Sequence, residues 1–396
     1  MSQNAITRTL RRRAVMAAVA VTALVGLAGC ASDTPAPGGS AAAVTYVVGF
    51  PAILSGPAAF AGVPISDGAK LAVKEINESG YLGEGSKIDL KIDDIKGDPA
   101  QAIALFNQYA ADGASGILCC GLSSEAGALA PVITAKSTPA VVTSAILAGL
   151  ADPPYIYRSV ILPSQKGGMY DQFVDAVVPG EKIKTAVIVV TADNDGMVGD
   201  SKVWQAALER NGVDVLKVIE TSAADTNYTQ AATEIESLNP DAVVGSTLGT
   251  PSALLAKSMR ERGYDKPFLT TYGVDSEALF TTSGGGLAGT IFMSPFHAGF
   301  NDNETAVNFV KAYEAEYNAT PDMYGAQGYT AMWLLAQGLK GAGDPDPQKV
   351  ADALSKVTTQ DSVYGTLTYE GGQASLDGPG EYLVWQKDGT LKQWDK

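Results

Sequence analysis

The chain has 396 residues, enough for two domains with sizeable cores. Hydrophobic residues make up 46% and charged residues 18%, a globular balance, and the formal net charge is −15. That acidity excludes a nucleic-acid partner, because no basic surface is available to neutralise phosphates. A single histidine, His297, and three cysteines leave little with which to build the common zinc sites or a Ser-His triad. No metal, cofactor or enzymatic activity is expected.

Residues 1–29 carry Arg8, Arg11, Arg12 and Arg13 and no acid, followed by an apolar stretch from Ala14 to Leu27 that is short for a membrane-spanning helix. A basic start, a short apolar core and small residues before a cut describe an export signal. The cut site, Leu27-Ala28-Gly29-Cys30, resembles the bacterial lipobox, which implies that Cys30 becomes a lipidated N-terminus. Removing residues 1–29 leaves 24 basic against 43 acidic residues, a net charge near −19. Residues 30–43, rich in Ala, Ser, Pro and Gly, read as a flexible tether. The expected product is a monomer anchored by lipid to the extracytoplasmic side of the cell membrane. Cys119 and Cys120 remain; neighbours on a strand point to opposite faces, so buried thiols are expected rather than a disulfide.

From Tyr46 onward, strand and helix patterns alternate. Tyr46–Phe50 is a strand, Ser55–Gly62 a loop, and Ile65, Ala69, Ala72, Val73 and Ile76 mark the inner stripe of a helix. Ile88, Leu90 and Ile92 alternate as in a strand. Asp98 caps and Pro99 opens the next helix. Gly116–Cys120 is a buried strand, Gly121 turns the chain, and Ser123 or Ser124 is expected to cap a helix beginning near Ala126. Pro139–Val142 is the fourth strand. Pro153–Ser159 reads as a crossing segment, after which a second series begins with the apolar strand Thr185–Thr191. Further strands are expected at Val213–Ile219, Asp241–Gly245 and Pro267–Thr270, with helices at Tyr228–Leu238 and Pro251–Arg262 between them. Thr290–Ser294 reads as another crossing, two helices at Glu304–Tyr317 and Tyr324–Gly341 belong to the first series, and the tail from Tyr364 to Trp394 reads as short strands. This order predicts parallel sheets with right-handed crossovers, whose ligands sit beyond the carboxyl ends of the strands.

The Ser123-Ser124 turn lies at such an end. A helix N-terminus offers outward N–H groups and partial positive charge, worth about 0.3–1 kcal/mol to an exposed anion and up to about 2 kcal/mol when partly buried. Two hydroxyls suit that seat to a carboxylate, and Thr143, Ser144 and Ala145 end the neighbouring strand beside it.

The chain resembles the branched-chain amino acid (leucine/isoleucine/valine) binding proteins of ABC importers. The residues that carry the resemblance are Ser55-Gly56-Pro57-Ala58-Ala59 with Gly62, Gly68–Val73, Glu75-Ile76-Asn77, Gly97-Asp98-Pro99, Ser123-Ser124 and Gly325–Tyr329. The resemblance implies a type I periplasmic-binding fold: two doubly wound, Rossmann-like α/β lobes joined by three crossing strands, with lobe 1 at residues 44–160 plus 293–362 and lobe 2 at 161–292 plus 363–396. It also implies that a small solute is trapped between the lobes and passed to a membrane permease, with the carboxylate held by Ser123, Ser124, Thr143, Ser144 and Ala145. Phe60 falls near a position where the family often carries a tyrosine, which Ala61 replaces. Tyr272 aligns where an acid often holds the ligand's ammonium, and Asp275, Asp193 or Asp195 is the alternative source of that charge. A buried ammonium without a carboxylate is costly, so an amide or an aromatic or aliphatic acid stands beside an amino acid as ligand. A sensor that presents its ligand-bound form to a membrane signalling protein is the alternative function.

Overall fold

Val- and Ile-rich runs alternate with Ala-rich amphipathic ones, and each pair becomes a strand followed by the helix that covers it. The computed structural model describes residues 43–165, 168–376, 378 and 380–395. The export segment, Cys30 and nearly all of the tether lie outside them. The first series runs β1 (Thr45–Ala52), α1 (Ala59–Ser79), β2 (Lys87–Asp94), α2 (Pro99–Ala111), β3 (Gly116–Cys119), α3 (Ser123–Lys136), β4 (Ala140–Val142) and β5 (Ile156–Arg158). The second runs α4 (Met169–Glu181), β6 (Thr185–Thr191), α5 (Asp195–Arg210), β7 (Asp214–Thr221), α6 (Thr229–Leu238), β8 (Ala242–Ser246), α7 (Thr250–Glu261), β9 (Phe268–Thr270), α8 (Glu277–Thr282) and β10 (Thr290–Ser294). The chain then returns through α9 (Glu304–Tyr317), α10 (Met323–Ala342), α11 (Pro347–Leu354), β11 (Thr359–Ser362), β12 (Gly365–Glu370) and β13 (Gln373–Leu376), and ends in β14 (Glu381–Trp385) and β15 (Leu391–Gln393).

Two sheets result, one per lobe. The first has the order β11-β12-β13-β5-β4-β3-β1-β2 and the second β15-β14-β10-β9-β8-β6-β7. Strands β1 to β5 pair parallel with their neighbours, as do β6 to β10. Antiparallel pairs close one edge of each sheet. Both faces of a parallel sheet need cover. In β6, Val187 and Val189 enter one core while Ala186, Ile188 and Val190 enter the other. Trp204 of α5 fills the space under that strand, its ring 4.5 Å from Tyr170 and 5.7 Å from Phe173.

The chain passes from sheet to sheet after β5, after β10 and after β13. The expected crossings at Pro153–Ser159 and Thr290–Ser294 are therefore displaced: β5 and β10 lie within those stretches and pair inside their sheets, and the chain changes lobe just beyond them. Residues 363–376, expected in the second lobe, extend the first sheet, because Leu367 and Ala374 are buried in its core and the N–H of Arg158 bonds the Gly372 carbonyl. Helices α9 and α10 join the first lobe. There α1 and α10 press backbone to backbone: a Cβ on Gly68 would lie 2.0 Å from the Gly325 carbonyl oxygen, and one on Gly328 1.9 Å from that of Ile65. This contact fixes the start of α10 beside the start of α1, so that Tyr324 meets Phe60 edge to face at 5.8 Å.

Candidate functional site

A cavity of about 210 Å³ lies between the lobes, where β1, β3 and β4 of one sheet and β6, β8 and β9 of the other reach their carboxyl ends. Its first-lobe wall is built on the turn after β3. Cys120 takes a left-handed φ of 71°. The chain enters α3 with Leu122 as the capping position. Ser123 and Ser124 are thus the first two residues of the helix, which starts three residues earlier than expected, and neither serine is the cap. Glu125 explains this. Its carboxyl reaches back and accepts from the N–H groups of Cys120 at 3.1 Å, Gly121 at 3.0 Å and Leu122 at 3.4 Å. That is the role an acid at the third helical position performs in a capping box. Burial pushes the Glu125 carboxyl up to about 7 against the lowering effect of those bonds. The N–H groups of Ser123 and Ser124 are left without partners among the described residues and, with both hydroxyls, face the cavity.

The second element of this wall is the end of β4. Thr143 points inward, fully buried, and donates its hydroxyl to the Cys119 carbonyl at 3.1 Å. It braces the wall from behind and does not line the cavity. Ser144, Ala145 and Ile146 do. Behind them lies Arg158, 1% exposed, whose Nη1 donates to the carbonyls of Leu147 at 2.6 Å and Ala145 at 3.4 Å. Phe60 completes the wall. It sits inside α1, whose first turn takes in residues expected to form a loop.

The second-lobe wall is mixed: Met197, Ala223, Leu248 and Pro251 line it together with Thr191, Asp193, Asn194 and Tyr272. Tyr272 faces the cavity as expected, 2% exposed, and burial first of all holds its phenol far above the usual tyrosine range. Asp193 also reaches the cavity, but its carboxylate accepts from the Ser222 hydroxyl at 2.7 Å and the Ala223 N–H at 2.9 Å, and the Ser222 bond leads in lowering its pKa. Asp195 is an exposed first-turn residue of α5 and lines no part of the cavity. Asp275 is not in the wall either. It lies at the start of α10 with Asp322, whose carboxylate caps that helix through the Gly325 N–H; burial raises both carboxyls above the usual carboxylate range.

Thr191, Ile146, Met197, Leu248 and Tyr324 are wall residues that sequence reasoning missed. Thr191 carried a usable signal, as the last residue of an apolar strand. Tyr324 did not, because it arrives from the far end of the chain through the α1–α10 contact. Cys119 and Cys120 are buried free thiols, and His297 accepts from the Gly299 N–H through Nδ1 beneath the ring of Phe300.

The lobes touch across the cavity through three glycines of the second lobe. A Cβ on Gly196 would lie 2.5 Å from the Ser123 hydroxyl, one on Gly249 2.4 Å from the Phe60 ring, and one on Gly273 2.5 Å from the Tyr324 hydroxyl.

Two α/β lobes closed over a cavity, with free hydroxyls and helix N–H groups on one wall and a mixed side-chain surface on the other, define a two-lobe solute-binding protein. The chain belongs to the periplasmic binding protein family, whose sequence profile matches residues 45–389. The Leu/Ile/Val-binding protein homolog 1 of Brucella abortus is 28% identical over 363 residues, spanning 88% of this chain and 92% of that one. Among solved structures, the branched-chain amino acid transporter substrate-binding protein of Streptococcus pneumoniae, in complex with isoleucine, superposes with a TM-score of 0.79 at 21% identity, over 89% of this chain and 98% of that one. A solute-binding protein of an ABC transporter from R. palustris, in complex with benzoate, does so with a TM-score of 0.74 at 21% identity, over 89% and 95%. The family is one of substrate-binding proteins for transport, extracytoplasmic and working with ABC permeases. No helix among the described residues is long and apolar enough to cross a membrane.

Proposed function

We propose that this chain is the solute receptor of an ABC importer, held to the membrane by a lipid on Cys30, which closes on a small amino acid or related carboxylate and delivers it to the permease. The observation that carries the reading is the first-lobe seat, where the hydroxyls of Ser123, Ser124 and Ser144 and two free N–H groups converge on a cavity that the second lobe covers. A ligand touching both walls stabilises the closed form over the open one, and the difference in contacts sets the population shift. The permease would read the closed form.

Isothermal titration of the mature chain against amino acids, amides and carboxylic acids tests the reading. One carboxylate-bearing solute binding at one site per chain is the expected result. Binding only of solutes without a carboxylate would remove the seat from the account. Incorporation of labelled palmitate, abolished in Cys30→Ala, checks the anchor. Uptake into vesicles bearing the permease, dependent on the receptor, checks delivery.

A further inference from the structure

Arg158 is among the largest fully buried side chains of the molecule, and its hydrogen-bond partners are neutral: the carbonyls of Ala145 and Leu147 and the side-chain oxygen of Gln373. No carboxylate among the described residues forms an ion pair with it. Burial lowers the guanidinium to about 10, so it keeps its charge at neutral pH. It grips the loop that supplies Ser144, Ala145 and Ile146 to the cavity and is close enough to Tyr272 for its charge to favour the ionised phenol. A buried cation without a counter-ion is expensive, and an anion placed nearby offsets that cost.

Among the described residues that line the cavity, Asp193 is the one carboxylate. Asp193 is held by Ser222 and Ala223, and Glu125 behind the seat is held by three backbone N–H groups. What the walls leave unpartnered are three buried hydroxyls: Thr191 and Tyr272 of the second lobe and Tyr324 of the first. Burial keeps both phenols neutral, so they present O–H donors to an acceptor. The buried hydroxyls call for oxygen or another acceptor on the ligand.

We propose that the cleft selects a net-anionic carboxylic acid without an α-ammonium group, an aliphatic or aromatic acid whose far end carries at most a neutral acceptor, and that Arg158 is the positioning residue whose field makes the selection. The inference deepens the solute-receptor reading and rests on it. Four probes of nearly one size separate the two: leucine, 4-methylpentanoate, 4-methylpentanamide and benzoate, titrated into the mature chain. At least one of the two acids is expected to bind 10-fold or more tightly than both leucine and the amide. Leucine binding as tightly as the acids, or more tightly, overturns the selection and leaves the receptor reading standing. The amide binding as tightly as the acids, or none of the four binding, removes the carboxylate seat and the inference with it. In Arg158→Gln the acid-to-amide affinity ratio is expected to fall at least 10-fold, and in Arg158→Lys, which keeps the charge, to fall less. A guanidinium that only braces the loop would weaken acid and amide alike and leave the ratio unchanged. If Arg158→Gln does not fold, Tyr272→Phe and Tyr324→Phe carry the test: either is expected to weaken 4-oxopentanoate, which carries an acceptor at its far end, more than 4-methylpentanoate, and equal losses count against the assignment of the phenols.

Discussion

The two walls of the cavity differ in kind. The first-lobe wall sets hydroxyls and a helix N-terminus, Ser123, Ser124 and Ser144 on a turn that Glu125 locks from within, beside the apolar Phe60, Ala61, Leu122 and Ile146. The second-lobe wall has no helix N-terminus or serine cluster; it sets Met197, Leu248 and Pro251 beside Thr191, Asp193, Asn194 and Tyr272. Fixed donors orient a ligand, whereas apolar surface reports its size and shape. On the proposed reading, the first wall takes the acid group common to many solutes and the second distinguishes among them.

The strongest way to break this division is to keep the second wall from reaching the first. Gly249 has a φ of 59°, and a Cβ there would sit 2.4 Å from the Phe60 ring. Gly249→Val is expected to weaken any ligand by about 100-fold, near 2.7 kcal/mol, and Phe60→Ala in the same chain is expected to recover part of it. Affinity unchanged in the single variant would show that the lobes do not meet there when ligand is bound. Removing one fixed donor is milder. Ser124→Ala is expected to cost a carboxylate ligand about 10- to 100-fold, in line with roughly 1.5–3 kcal/mol for a hydrogen bond to a charged group, and a loss equal for acid and amide would separate the serine from the seat.

Each wall also rests on a buried carboxyl, Glu125 behind the first and Asp200, bonded by the Tyr170 hydroxyl, beneath the second. Burial raises both to about 7. As pH rises, the unfolded chain releases these protons before the folded one, so their contribution to stability is full below about pH 4 and falls away through pH 7. The melting temperature is expected to drop by about 2–5 °C between pH 5 and pH 8, with a flatter profile in Asp200→Asn and in Glu125→Gln. A wild-type slope in either variant would mean that its carboxyl is already ionised when folded. The smallest effect belongs to Asp193→Asn, expected to change affinity less than about twofold, since its carboxylate is engaged away from the ligand; a tenfold loss would make it the counter-ion of an ammonium after all.

The alternation of strand and helix, and the placing of Ser123 and Ser124 at a strand's carboxyl end, are legible because both are local patterns. The capping position was misplaced although its signal was present: Glu125 three residues after Leu122 marks the cap, and the two serines drew attention instead. Thr143 lies behind the wall and not in it because its hydroxyl turns to the Cys119 carbonyl at the bend after β4, a choice that residue type does not reveal. Arg158 and Tyr324 were out of reach. Arg158 acquires its environment from Gln373, 215 residues later, across a strand pair that joins the first sheet only in the folded chain. Tyr324 depends likewise on the backbone contact between α1 and α10. The handover between lobes near the C-terminus failed for the same reason, since β12 and β13 choose their sheet through that distant pairing.

The three glycine contacts have a consequence for engineering the molecule. Only the missing methyl lets the halves come this near, so a single added carbon at Gly196, Gly249 or Gly273 would act as a doorstop, propping the mouth ajar from its rim without altering what the interior offers.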